Sequence, residues 1–161
     1  MDARPVLVAV ARSLREQDLE AILIGNAAAA LHGAPVTTVD LDFLIRKAPA
    51  NLRKLKGLAK ALQAVVFTPY YPVSGLFRII RDQDGLQLDF MTGIHGVRSF
   101  NGLRSRAVEL DLEGEKITIA ALTDIIASKK AADRPQDRAI IGVLEATLDQ
   151  KKGSRSPESR E

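Results

Sequence analysis

The chain lacks cysteine and tryptophan, and its 161 residues include only two tyrosines and five phenylalanines. Without cysteine it has no disulfides, no thiolate nucleophile and no cysteine metal ligands. So few aromatic side chains do not predict an extended platform on which single-stranded bases stack. The only two histidines, His32 and His95, lie far apart in the sequence, which argues against a zinc site.

Long apolar runs are also missing. No stretch approaches the roughly 18 apolar residues that span a bilayer, and the short apolar run near the N-terminus is followed by Arg12 and Arg15 without a convincing cleavage site. We therefore expect a cytoplasmic protein with no membrane contact. The length, with 46% hydrophobic and 27% charged residues, predicts a single domain over residues 1–150. Residues 151–161 are expected to form a disordered tail.

The net charge of +3 is concentrated in two segments, "RKAPANLRKLKGLAK" at residues 46–60 and the tail "KKGSRSPESRE". The simpler interpretation is a solvated helix face and a disordered end. The alternative is a surface for a polyanion such as the acceptor end of tRNA, which lysine and arginine would bind without reading its sequence.

Hydrophobic periodicity predicts an α+β fold, in which a mixed β-sheet is flanked by helices and followed by a C-terminal helical segment. Helices are predicted at 5–17, 26–32 (capped by Asn26), about 49–64, from Thr123 as cap to about 131, and 134–150. Strands are predicted at 20–24, 39–45, 65–67 and in two hairpins, 76–91 turning at Asp84-Gly85 and 105–120 turning at Glu113-Gly114. The pattern assigns no element to residues 94–102, and residues 68–75 read as a loop.

The segment "TTVDLDFLIRKAP" places two acids in an otherwise apolar strand. Residues two apart in a strand share a face, so Asp40 and Asp42 project together while Leu41 and Phe43 fill the opposite face. Two unpaired carboxylates on a half-buried face repel each other, and a divalent cation such as Mg²⁺ or Mn²⁺ removes that conflict. The alternatives are pairing with arginine or lysine, and exposure on a one-sided sheet.

A third acid, Asp89 in "LQLDFM", also lies inside an apolar strand. If that strand neighbours residues 39–45, the three carboxylates form a cluster suited to two metal ions about 3.5–4 Å apart.

The segment "ILIGNAAAALHG" leads from a strand through Gly25-Asn26 into a helix. The free N–H groups at a helix N-terminus favour phosphate, and glycine permits close approach of a ligand. The alternative is simply a tight strand-to-helix connection. Neither G-x-G-x-x-G nor a P-loop sequence is present.

These residues together resemble the DNA polymerase β-like nucleotidyltransferase superfamily, and within it the minimal bacterial nucleotidyltransferases of the abortive-infection toxin type. The resemblance covers about residues 20–145. Its matching residues are Gly25-Asn26, the "A-x-x-x-H-G" of Ala28 to Gly33, Thr38, Asp40, Asp42 and Asp89, and the later segment "ASKKAADRPQDR" with Lys129, Arg134 and Asp137.

The chain departs from this family at three positions. Asn26 stands where the family usually has glycine or serine, and Val36 and Val39 occupy a segment where relatives often carry an arginine. The loss of positive charge there would weaken the binding of triphosphate or RNA.

The resemblance implies a polymerase β palm-like core and metal-dependent transfer of a nucleoside monophosphate from a nucleoside triphosphate to an acceptor hydroxyl. Asp40 and Asp42 would hold Mg²⁺ or Mn²⁺. Asp89 would bind the ion that activates the nucleophile and would receive the hydroxyl proton.

By the same resemblance, Gly25, Asn26 and Thr38 would form the triphosphate site. Lys129 would neutralise developing charge as a catalytic cation; the alternative for this lysine is a solvated helix position.

Three other residues have simpler structural interpretations. Asp137 is expected to pair with Arg134 or Arg138 rather than to bind metal. His32 is expected to pack or hydrogen-bond locally, and His95 is a loop histidine near Asp89 in sequence.

The resemblance implies an acceptor that is RNA such as tRNA, a protein or a small molecule, and it allows a role within a toxin–antitoxin system with a cognate partner. Two other functions stay open. One is a catalytically impaired module of the same fold that binds a nucleotide or a partner. The other is a small magnesium-dependent phosphatase or nuclease, which would not account for the Gly25-Asn26 turn.

Overall fold

The computed structural model describes residues 4–38, 40–67 and 75–155, which form one seven-stranded sheet and six helices. The strands are β1 (Ala21–Ile24), β2 (Asp40–Ile45), β3 (Val65–Phe67), β4 (Leu76–Arg81), β5 (Leu86–Met91), β6 (Val108–Leu112) and β7 (Glu115–Ile119). The helices are α1 (Arg4–Glu16), α2 (Gly25–Leu31), α3 (Pro49–Ala61), α4 (Phe100–Arg106), α5 (Leu122–Ala132) and α6 (Pro135–Arg155).

The sheet is mixed, as predicted, with strand order β3-β4-β5-β2-β1-β7-β6. Strand β2 lies at its centre, antiparallel to β1 and parallel to β5. The two hairpins, β4–β5 and β6–β7, are antiparallel and lie on opposite sides of this central pair. The acidic strand is therefore flanked on both sides, so the hydrogen-bonding edges of its backbone are paired.

The core lies against the face of β2 opposite the acids. Phe43 on β2 and Phe90 on β5 are fully buried and stack with ring centroids 5.2 Å apart. Their register partners and the apolar sides of the helices extend this cluster. Each large side chain buried in this way contributes roughly 1.5–3 kcal/mol, so the alternation in "VDLDFLI" orients the strand and directs the acids away from the core.

The two residues predicted to cap helices, Asn26 and Thr123, are not cap residues in the structure. Ile24 precedes α2 as its N-cap residue and Ala121 precedes α5. Asn26 and Thr123 therefore lie inside their helices. Residues 94–102, for which the sequence indicated no element, include the start of α4, where the Ser99 hydroxyl accepts a hydrogen bond from the Gly102 backbone.

The C-terminal helix is longer than predicted. It continues to Arg155, so residues 151–155 are helical rather than disordered, and residues 156–161 lie outside the described part of the chain. Most of the predicted loop at 68–75 is also outside it, and so is Val39. Within the described ranges, no helix combines the length and apolar character needed to cross a bilayer.

Candidate active site

One row of side chains crosses four strands at the level of Asp42. On one side Asp42 is in register with Ile24 of β1, and on the other with Asp89 of β5, which in turn pairs with Arg78 of β4. Register partners point to the same face of a sheet. The structure therefore places Asp42 and Asp89 side by side, as the sequence led us to expect, with Asp40 two residues along the same face of β2.

Gly25 lies against Asp42 because it directly follows Ile24. Its backbone has φ +68°, a left-handed conformation that L residues with a side chain rarely adopt. A Cβ atom here would lie 3.1 Å from Asp42 Oδ2. Glycine at the strand-to-helix turn is thus required both by the backbone conformation and by the closeness of the carboxylate.

The carboxylates of Asp40 and Asp42 have no hydrogen-bond or ion-pair partner among the described residues. Burial raises the pKa of Asp42 to about 6, and the nearby charges of Asp89 and Asp40 contribute further. The positive charges of Lys129 and Arg134 oppose this rise without cancelling it. Asp42 is therefore a carboxylate for which the protein supplies too little positive charge.

Asp89 is buried and fully engaged. Nε of Arg78 donates to its Oδ1 at 2.8 Å, NH2 of Arg78 donates to Oδ2 at 3.2 Å, and Nε2 of Gln87 donates to Oδ2 at 3.3 Å. Such two-pronged arginine–carboxylate pairs are the strong, geometrically specific ones. The sequence analysis did not identify Arg78 as part of the site.

A cleft of about 310 Å³ opens beside Asp42. One wall carries Gly25 and Asp42, and another carries Lys129 and Arg134. The remaining lining residues are Ile24, Met91, Gly93, Ile94, His95, Leu103, Ala120, Asp124, Ile125, Ser128 and Ala132. Acidic and basic side chains thus share one cavity, and most of its other lining residues are apolar.

Lys129 is not a solvated helix lysine, since its side chain is only 11% exposed. Burial lowers its pKa, while Asp137, whose carboxylate lies 3.7 Å from its Nζ, opposes that change. Asp137 is buried and takes a two-pronged contact from Arg134, at 2.7 and 3.1 Å. The expected pairing of Asp137 with Arg134 is confirmed, and it anchors both cations at the cleft; Arg138 pairs with Asp133 instead.

Of the three residues predicted to bind the triphosphate, Gly25 lines the cleft, whereas Asn26 and Thr38 do not. Asn26 does not line the cleft, and its Oδ1 is buried with no hydrogen-bond partner within the described part of the chain. The Thr38 hydroxyl donates to the Asp40 carbonyl and accepts from the Asp40 N–H, at 2.9 and 3.2 Å. Thr38 thus fixes the start of β2, and Val36 packs against the core.

The two histidines occupy different surroundings. Nε2 of His32 lies 2.8 Å from the Ala120 carbonyl, and its Nδ1 lies 2.7 Å from Lys151 Nζ. The expected hydrogen bonding of His32 is observed, but its partners are distant along the chain rather than local. His95 lines the cleft, which its loop position in the sequence did not indicate.

A divalent ion such as Mg²⁺ requires several oxygen donors that converge on one point. Across residues 4–38, 40–67 and 75–155, no three carboxylates or imidazoles converge on one point as metal ligands. Asp40 and Asp42 nevertheless offer oxygen donors on one face of β2 that have no partner among the described residues, and burial, with the nearby acids, raises the pKa of Asp42 to about 6. Oxygen-only donors of this kind fit Mg²⁺ or Mn²⁺.

Known structures share this fold. ANT(2'')-Ia in complex with adenylyl-2''-tobramycin is 14% identical over 92% of this chain and 91% of its own, with a TM-score of 0.61. Lincomycin-bound LnuA, a lincosamide antibiotic adenylyltransferase, is 10% identical over 91% and 98%, with a TM-score of 0.62. An antigenic nucleotidyltransferase-like protein from Paracoccidioides brasiliensis is 16% identical over 92% and 77%, with a TM-score of 0.55.

Among curated proteins, none matches the sequence significantly. A family model does, over residues 3–158, and its description is "Nucleotidyl transferase of unknown function (DUF2204)". That match covers nearly the whole chain, and the mixed sheet and its acidic strand agree with it. The chain therefore belongs to this family of nucleotidyl transferases, with the polymerase β-like fold.

Proposed function

We propose that the protein transfers a nucleoside monophosphate from a nucleoside triphosphate to an acceptor hydroxyl, releasing pyrophosphate, with Mg²⁺ or Mn²⁺ held by Asp40 and Asp42. One observation carries the proposal. The unpartnered carboxylate of Asp42 shares a cleft with the two anchored cations Lys129 and Arg134. A bound triphosphate would offer its phosphate oxygens to Lys129 and Arg134, and the divalent ion bound to it would meet the carboxylate of Asp42.

Each side chain has a defined task in this reaction. Lys129 and Arg134, oriented by Asp137, bind the phosphate oxygens and stabilise the charge that builds up on the leaving pyrophosphate. Gly25 leaves space next to Asp42 for close approach of the ligand. A bound divalent ion supplies Lewis-acid polarisation of the phosphoryl oxygens.

The covalent change is a displacement at the α-phosphorus. The acceptor oxygen forms a bond to this phosphorus, the bond to the bridging oxygen of the β-phosphate breaks, and the electron pair leaves with pyrophosphate. Both carboxylate oxygens of Asp89 already accept from Arg78 and Gln87, so we assign the acceptor proton to solvent water rather than to Asp89. Positioning and electrostatics supply most of the acceleration in such transfers.

We further propose a small-molecule acceptor. The basic helix α3, which favoured RNA at the level of sequence, contributes no residue to the cleft. Lys54 of α3 donates to the Asp18 carbonyl, which precedes β1, whereas Gly25 follows β1 at its other end. Both antibiotic-bound structures of this fold hold small molecules. RNA such as tRNA and protein are the competing acceptors.

A label-transfer assay tests the proposal. The protein is incubated with each α-³²P-labelled nucleoside triphosphate, Mg²⁺ or Mn²⁺, and separate pools of small metabolites, total RNA and protein. We expect label in the small-molecule pool and loss of transfer in Asp42→Asn. Asp149→Asn, an exposed acid on α6 with no contact to the cleft, is the matched control and should transfer normally.

Label in the RNA or protein pool would overturn the small-molecule acceptor while supporting nucleotidyl transfer. No transfer into any pool, or equal transfer by Asp42→Asn, would overturn the catalytic proposal itself.

The second candidate is a catalytically impaired module that binds a nucleotide or a partner. The observation in its favour is the Arg78–Asp89 contact, which occupies the third acid. This candidate predicts that a triphosphate with Mg²⁺ raises the melting temperature while no label is transferred. A cognate toxin or antitoxin partner stays a prediction of the family resemblance, and copurification from the native host tests it.

A further inference from the structure

We infer that Arg78 takes the place of one divalent ion in this active site, so that the complex with nucleotide holds a single ion, on Asp40 and Asp42. The inference rests on the proposed function and narrows it. A three-carboxylate cluster suits two ions (the expectation from sequence), but the surroundings of the three acids are unequal. Asp40 and Asp42 have no partner for their carboxylates among the described residues, whereas both oxygens of Asp89 accept hydrogen bonds.

The saturation of Asp89 is geometric. Both carboxylate oxygens accept from the Arg78 guanidinium, and Oδ2 also accepts from Gln87. Only 9% of the Asp89 side chain is exposed. An ion ligated by Asp89 would have to displace the guanidinium or lie beside it, and like charges at such a distance repel strongly in a partly buried site.

Arg78 is also held in place by the fold. It lies directly opposite Asp89 in the antiparallel β4–β5 pair, so the sheet register brings the two together. The hydrogen bond to Asp89 is the main cause that raises the pKa of Arg78; burial opposes it, and the negative charges of Asp89, Asp40 and Asp42 add to it. A permanently charged, planar guanidinium therefore replaces an exchangeable cation at this position.

The same strand provides a control. Arg81 forms a comparable two-pronged contact with Asp84, at 2.9 and 2.7 Å, in the turn that joins β4 to β5. Neither residue lines the cleft. Replacing Arg81 removes a similar ion pair from the same hairpin without touching the acids of β2.

The test counts Mn²⁺ ions. Each chain is saturated with Mn²⁺ and an α,β-methylene nucleoside triphosphate analogue, passed rapidly through a desalting column, and its retained manganese is measured by electron paramagnetic resonance after acid release. We expect one ion per chain in the wild type and in Arg81→Gln, and two in Arg78→Gln. Arg78→Lys keeps the positive charge and should keep the single ion, which provides a readout if Arg78→Gln does not fold.

Label transfer adds a second readout. At low Mn²⁺, Arg78→Gln should lose transfer by roughly 10²-fold, because a fixed charge beside the reacting centre is gone. At high Mn²⁺ an ion in the vacated position should restore most of it. Arg81→Gln should show the wild-type dependence on Mn²⁺.

Two ions in a wild-type chain that transfers label would overturn this inference and leave the proposed function standing. One ion in Arg78→Gln would overturn it as well. A wild-type chain that retains neither Mn²⁺ nor the analogue and transfers no label would overturn the proposed function, and this inference with it.

Discussion

Asp42 lies directly opposite Asp89 on parallel strands, yet within the described part of the chain only Asp89 has a cationic side chain bound to its carboxylate. The two acids are in register and point to the same face. Their environments differ because the strand beyond β5 carries Arg78, while the residue next to Asp42 on β1 is the apolar Ile24. This asymmetry leaves Asp42 as the acid with unmet negative charge, which makes it the natural place for an ion to bind.

Gly25→Ala should damage both stability and activity. The left-handed backbone at φ +68° costs about 1–2 kcal/mol for a residue with a Cβ atom. The new methyl group would also press on Asp42 Oδ2 at 3.1 Å and shift that carboxylate. Gly85→Ala is the control, since it has φ +73° with nothing within 4 Å. Denaturant unfolding should show a similar loss of stability in both variants, and label transfer should fall only in Gly25→Ala.

Asp42→Asn should stabilise the protein above pH 6 in buffer without divalent ions. The folded-state pKa of about 6 lies above the ordinary aspartate pKa of 3.8, so the folded state binds the proton more tightly than the unfolded state does. Wild-type stability therefore falls as the pH rises from about 4 to 6 and then levels off. The neutral amide avoids this cost.

The free energy of unfolding of Asp42→Asn should exceed that of the wild type by about 2 kcal/mol at pH 7.5, and the difference should vanish near pH 3.5. An equal pH dependence in the two proteins would contradict the buried, uncompensated charge.

Asp137→Asn should destabilise the protein far more than Asp133→Asn. Asp137 is 1% exposed and neutralises two cations, so its loss leaves Lys129 and Arg134 uncompensated at the cleft, at a cost of about 3 kcal/mol. Asp133 forms an exposed pair with Arg138, and such pairs contribute little. Asparagine also tolerates the left-handed conformation of Asp133. Thermal unfolding at low salt compares the two variants, and equal shifts in melting temperature would refute the anchoring role of Asp137.

His32→Gln should reduce the decrease in the free energy of unfolding that the wild-type protein shows as the pH falls into the acid range. Burial is the main cause that lowers the pKa of His32, and the charge of Lys151 adds to it, whereas the hydrogen bond to the Ala120 carbonyl opposes the change. Because the folded-state pKa lies below the ordinary histidine pKa of 6.5, the stability due to the neutral ring is present above pH 6.5 and is lost as the pH falls through the folded-state pKa. His95→Gln, at an exposed loop position, should retain the wild-type slope. Denaturant unfolding between pH 7.5 and 4.5 measures both slopes, and a wild-type slope in His32→Gln would contradict the assignment.

The hairpin that carries Asp89 shows why the partner of this acid was missed. The Asp84-Gly85 signal was read correctly as a turn. A two-residue turn at that position would pair Ile80 with Asp89, whereas the observed pairing of Arg81 with Leu86 places Arg78 opposite it. Lengthening the loop from two residues to four, 82–85, alters every cross-strand neighbour. Arg78 is one of two arginines in the otherwise apolar strand β4, and its partner depends on the turn.

The predicted caps failed for a related reason. Asn26 and Thr123 are good capping residues by type, but in the structure each lies inside its helix. At Gly25 the chain enters α2 directly from β1, so the last strand residue, Ile24, occupies the cap position. Local preference was overruled by the position of the neighbouring elements.

From the sequence alone, the strands and most helices could be located, and Asp40 and Asp42 could be placed on one face opposite Phe43, because the periods of 2 and 3.6 residues are local properties of the chain. Only the tertiary structure decided that β5 lies beside β2, that Lys129 and Arg134 enter the cleft of Asp42, and that Arg78 binds Asp89. Those relationships depend on strand order and register between segments distant along the chain, and no local pattern encodes which of several similar strands becomes the neighbour.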